Sequence, residues 1–148
     1  MKNLSLIIFS LTLALSSTLT FARDLSIVAP YVREVPPGLT TSASFLTIIN
    51  ESEQDISLIK ASSDVAKHVE LHEHVHDNGM MKMRQVKTIK IPAHGKTVLK
   101  PGGYHIMLIG LTRKIKAGDW VDLTLEFSNA QQQTIKAEVK KIIQGMKK

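Results

Sequence analysis

Six histidines and six methionines stand in a chain that has no cysteine. Apart from Met1 and Met146, the methionines occupy two places. Met80, Met81 and Met83 follow the turn Asp77-Asn78-Gly79, and Met107 stands two residues after His105. The histidines gather at the same places, with His68, His72, His74 and His76 before the turn and His105 before Met107. His94 lies apart in Pro92-Ala93-His94-Gly95 and reads as a solvated turn residue. Thioether sulfur is a soft, neutral ligand that suits Cu(I) and adds little for zinc, magnesium or calcium, whereas imidazole suits copper and zinc alike. Two imidazoles with two thioethers leave the ion's charge uncompensated and avoid the very tight grip of thiolates. Such a set suits a protein that must release copper as well as hold it. The ordinary alternatives are methionine as core filler and histidine as a hydrogen-bonded surface group, readings that fit Met80, Met81 and Met146 taken singly.

Composition removes several other chemistries. Without cysteine there is no disulfide, zinc–thiolate, iron–sulfur or thioredoxin site, no lipid anchor on cysteine and no blue-copper centre. No Gly-x-Ser-x-Gly elbow, His-Glu-x-x-His helix or phosphate-cradling glycine loop is present. Ser62-Ser63-Asp64 near His68 reads as a polar turn, so a carrier without catalytic turnover is expected rather than an enzyme. The net charge of +6 comes from lysines spread through most of the chain, with aromatics at only 5%. That pattern describes a solvated basic surface, not a nucleic-acid groove.

The elements that must position these side chains are short strands. Apolar–polar alternation recurs in Leu25–Ala29, Ala43–Ile49, Ile56–Lys60, Ala66–Val75, Met80–Thr88, Thr97–Leu99, His105–Ile109, Val121–Phe127 and Thr134–Ile142. Turn residues such as Pro36-Pro37-Gly38 and Pro101-Gly102-Gly103 separate them. An all-β domain of about eight or nine strands is expected, a two-sheet antiparallel sandwich or small barrel. Alternation puts His72, His74 and His76 on one strand face and His105 with Met107 on another. A hairpin at Asn78-Gly79 has two possible registers. A two-residue loop pairs His74 with Met83 and puts His72 on the diagonal, while a four-residue loop pairs His72 with Met83. Either places an imidazole and a thioether within reach of one ion. The strand of His105 and Met107 must then lie beside this hairpin.

Met1-Lys2, the apolar run Leu4 to Leu15 and the small residues up to Ala22 describe a secretory signal peptide at residues 1–22, cleaved after Ala22. One exported domain, residues 23–148, is expected to follow. No segment has the roughly 18–20 apolar residues of a membrane span.

These residues also carry a resemblance. The spacing His72-x10-Met83-x21-His105-x-Met107 is similar to the signature of the periplasmic copper chaperones called PCu(A)C, the DUF461 family. The flanking words Val69-Glu70-Leu71-His72-Glu73, Gly79-Met80-Met81-Lys82-Met83-Arg84 and Gly102-Gly103-Tyr104-His105-Ile106-Met107 agree, over a likeness running from about Val28 to Ile143. The resemblance implies a cupredoxin-like β-sandwich in the periplasm with one Cu(I) held by His72, Met83, His105 and Met107. It also implies delivery of the ion to the CuA centre of cytochrome c oxidase subunit II, alongside Sco-type thiol proteins. The His- and Met-rich C-terminal tail of some members has no counterpart in Ile142 to Lys148. The chain departs from the pattern in His74, His76 and Met81, which could supply alternative ligands or a second weak site. A copper or zinc buffer built on His72, His74 and His76 is the competing expectation.

Overall fold

The computed structural model describes residues 24–141. The signal segment, Ile142, Ile143 and Met146 lie outside the described residues. Ten strands follow in chain order: β1 (Leu25–Arg33), β2 (Thr41–Asn50), β3 (Ile56–Ser62), β4 (Ala66–Asp77), β5 (Met80–Gln85), β6 (Ile89–Ile91), β7 (Gly95–Leu99), β8 (His105–Leu111), β9 (Trp120–Phe127) and β10 (Gln132–Lys140). Their pairing runs β5-β4-β8-β2-β1-β10-β9-β3-β6, with β7 also paired to β2.

The all-β expectation holds, with two refinements. The segment read as Met80–Thr88 stops at Gln85, where the Val86 N–H turns to donate to the Leu71 carbonyl. Ile89–Ile91 then forms a separate strand against β3; three residues are too few to display a period. One pairing, β1 with β10, is parallel, a long-range choice that no local alternation reports.

The core lies between the layers. Leu58 and Ala61 of β3 and Leu71 of β4, strands that do not pair, join Ile48, Ile106 and Phe127 in one buried cluster. A second cluster gathers Val32, Leu108, Val121, Leu123 and Val139, and both pack against Val69 and Ile135. β2 is the hub. It is buried along most of its length because β1, β7 and β8 all pair with it. Its buried hydroxyls are satisfied locally: Ser42 Oγ donates to the Arg33 carbonyl at 2.6 Å and Ser44 Oγ to the Tyr31 carbonyl at 3.0 Å.

That arrangement decides which faces are free. On β4 Leu71 points into the core, and on β8 Ile106 and Leu108 do so. The two-residue period therefore sends His72 and His74, and His105 and Met107, to the outer face.

Candidate metal centre

The hairpin register is that of a two-residue loop. Asn78 and Gly79 have φ of 49° and 79°, the left-handed pair that a tight hairpin turn with the twist of its strands requires. His74 therefore stands opposite Met83, His76 opposite Met81 and His72 opposite Gln85. On the other side of β4, His72 faces His105 and Glu70 faces Met107. β4 is thus the spine of the site, with β5 and β8 bringing sulfur and imidazole to it from either side. Met80 pairs with Asp77 on the opposite face, which removes it from the cluster.

His105 is the centre. It belongs to the outer face yet is only 2% exposed, because neighbouring side chains roof it. Its ring centroid lies 5.0 Å from that of His74, 5.7 Å from His72 and 6.3 Å from Phe45. Nδ1 is 3.0 Å from the Gly103 carbonyl oxygen. A carbonyl can only accept, so Nδ1 carries the proton and donates it, and Nε2 of the neutral ring keeps a lone pair. That lone pair is 3.3 Å from Met83 Sδ. Two electron-pair donors thus face each other with no proton of their own between them. A metal ion with bonds of about 2.0 Å to nitrogen and about 2.3 Å to sulfur holds tetrahedral donors about 3.5 Å apart. The observed separation is close to that of two ligands of one ion.

His72 repeats the pattern. Its Nε2 lies 2.7 Å from Glu70 Oε2. The carboxylate accepts, so in the neutral ring Nδ1 keeps the lone pair. Nδ1 is buried and has no hydrogen-bond partner among the described residues. Buried polar atoms are nearly always satisfied, and a neutral imidazole nitrogen of this kind is a donor that suits a metal ion. A carboxylate or carbonyl holding the opposite ring N–H is the usual support of a metal-bound histidine. Glu70 and the Gly103 carbonyl give that support to the two rings.

Burial, the largest influence, pushes the His105 pKa below the ordinary value of 6.5. The Gly103 hydrogen bond opposes this, while His74, His72 and Arg33 add smaller downward pushes. Burial and these three neighbours favour the neutral form and outweigh the hydrogen bond. Arg33 lies 5.4 Å from the Phe45 ring centroid, so a fixed cation borders the site.

A shallow concavity of about 370 Å³ opens over this face, lined among others by His74, Met81, Met83, His105 and Met107. The structure thus brings His105, Met83 and Met107 together with His74 and Met81. His72 lies beside the concavity, and His76 is exposed near the hairpin tip. Core filling does not explain the methionines of β5, since Met80, Met81 and Met83 are 59%, 52% and 50% exposed. Among the described residues, no three His, Asp or Glu side chains form a metal-holding group.

Sequence reasoning missed the supports. Glu70 was findable, because it precedes His72 by two on one strand face. Arg33 and Phe45 arrive from β1 and β2 and carried no local signal. His94 is an exposed turn residue, as expected, with φ of 49°.

The model of the family described as Putative lipoprotein LpqE-like matches residues 25–139. Putative lipoprotein Lxx21020 of Leifsonia xyli subsp. xyli is 34% identical over 111 residues, 74% of this chain and 66% of its own length. The chain therefore spans just under two thirds of that curated relative. Among solved structures, CuI-DR1885 from Deinococcus radiodurans is similar with a TM-score of 0.68 and 32% identity, over 88% of this chain and 87% of that one. The copper-bound PCuAC domain from PmoF2 has a TM-score of 0.68 over 80% of this chain and 93% of its own. At 23% identity that likeness is one of fold. The fold is the cupredoxin-like β arrangement expected from the sequence.

Proposed function

This chain belongs to the LpqE-like family, and from that premise we propose that it is a copper carrier. It binds one Cu(I) through His105 Nε2, His72 Nδ1 and the thioethers of Met83 and Met107, and passes the ion on without chemical turnover. The observation that carries the reading is the facing pair of lone-pair donors, His105 Nε2 and Met83 Sδ, 3.3 Å apart. The orphaned His72 Nδ1 supports it, as does the likeness to CuI-DR1885. The donor set favours copper over zinc because thioether sulfur adds affinity only for a soft ion. Four donors leave no open position for a substrate, hence a carrier and not an enzyme. The expected acceptor is a copper-requiring protein such as the CuA centre of cytochrome c oxidase subunit II, alongside a Sco-type thiol protein. The work is done outside the cytoplasm, in the periplasm, after removal of residues 1–22. The lipoprotein description of the family supports export.

Within this function His74 is the competing fourth ligand. It stands directly opposite Met83, and its ring is nearer to His105 than that of His72. Competition against a chromophoric Cu(I) chelator decides the matter. One tight equivalent is expected, weakened at least tenfold by His72→Ala and little by His74→Ala. The reverse order would exchange the two ligands. Equal affinity for Cu(I) and Zn(II) would refute the thioether site.

A further inference from the structure

The β4–β5 hairpin carries imidazole–thioether pairs on two alternate rungs, neighbours on one face. His74 faces Met83, and His76 faces Met81. All four side chains share the outer face. The His74 N–H donates to the Gly103 carbonyl, towards β8. This residue, and by alternation His76, therefore forms the non-hydrogen-bonded kind of pair with β5. In such pairs the Cα atoms are about 4.5 Å apart and the side chains approach most closely.

The inner rung gives Met83 to the proposed four-donor site, and that site has no use for the outer rung. Yet the outer rung is built of the same two donor types and lies at the exposed end. Met81 is 52% exposed yet lines the concavity together with Met83 and His105. The hairpin's ion pairs, Lys82 with Asp77 and Arg84 with Glu73, are on the opposite face, so they do not block the outer rung.

We propose that His76 and Met81, with the imidazole of His74, form a second and weaker Cu(I) site at the hairpin tip, through which the ion enters and leaves the inner one. The inference rests on the copper reading above. Its chemistry is ligand replacement alone: Cu(I) keeps its oxidation state, and neutral donors are exchanged one at a time. His74 is placed for this, with one neighbour in His105, 5.0 Å away between ring centroids, and the other in the outer rung. Weaker binding follows from fewer donors and from exposure, and a thioether in the set excludes zinc as the favoured ion.

The test is anaerobic titration of the full chain with Cu(I), with X-ray absorption at one and at two equivalents. The wild type should take two equivalents, the second at least tenfold weaker and with sulfur among its neighbours. His76→Ala/Met81→Leu should take one equivalent at unchanged affinity. Should that variant lose both ions, Met81→Leu alone, which roughly conserves volume, decides by the loss of sulfur from the second equivalent. A wild type that takes only one equivalent would overturn the tip site and leave the carrier standing, as would a double variant that still takes two. A wild type that takes no Cu(I) would overturn both.

Discussion

His105 shows how burial and one hydrogen bond suit a single side chain to the ligand role proposed for it. Burial beneath Phe45, His72, His74 and Met83 disfavours its charged form, and the Gly103 carbonyl fixes the proton on Nδ1. A metal bound at Nε2 would compete with the proton there, so a pKa below 6.5 would move that competition to lower pH. In the metal-free protein the His105 ring should accordingly titrate below 6.5, as followed by its NMR shifts. The folded state then resists protonation while the unfolded chain accepts it. This group's effect is to lower stability as pH falls from about 6.5 towards its folded pKa, and to leave stability unchanged above that window. A His105 titrating above 6.5 would contradict the account. The sulfur donors give a second prediction. Met83→Leu/Met107→Leu should lower Cu(I) affinity by at least a hundredfold while the thermal midpoint moves little, because the swaps roughly conserve volume. Retained Cu(I) affinity in that variant, measured by chelator competition, would count against both thioethers.

The elements matter because the donors are shared among three of them, and one is precarious. Among the described residues β5 is an edge strand that pairs only with β4, and all six of its residues are exposed. Its position depends on the Asn78-Gly79 turn. A Cβ at Gly79 would meet no atom within 4 Å, so Gly79→Ala is penalised only by its φ of +79°, on the order of 1–2 kcal/mol. That strain should fray the hairpin and weaken Cu(I) binding severalfold through Met83, while barely moving the global unfolding midpoint. Amide exchange along Met80–Gln85 checks the fraying, which should be faster in the variant. Much of this was legible in the sequence, since alternation and the Asn-Gly turn placed imidazole and thioether on one face. The choice between His72 and His74 opposite Met83 was not legible, because both loop lengths satisfy the pattern. Nor was the adjacency of β8 to β4, a pairing between segments separated by the β5, β6 and β7 strands.

At the scale of the molecule, core and site are separable. The outer faces of β4, β5 and β8 hold the proposed donors, while Leu123 and Phe127 of β9 pack in the core against the inner faces, with Leu108 and with Leu71 and Ile106 respectively. Leu123→Ala should therefore cost about 2–5 kcal/mol of stability and change the Cu(I) affinity of the folded protein less than threefold. Urea unfolding and chelator titration on the same variant check the two halves of that statement. The domain class was readable because its strands are punctuated by strong turns. The parallel β1–β10 pairing was not, since it is decided by packing between chain segments about a hundred residues apart. The central claim is that thioether sulfur and imidazole nitrogen hold the same ion. X-ray absorption of the full chain at one equivalent of Cu(I) tests it most directly. Two sulfur and two nitrogen neighbours are the predicted shell, at about 2.3 Å and about 2.0 Å. A shell of nitrogen and oxygen alone would contradict the central claim.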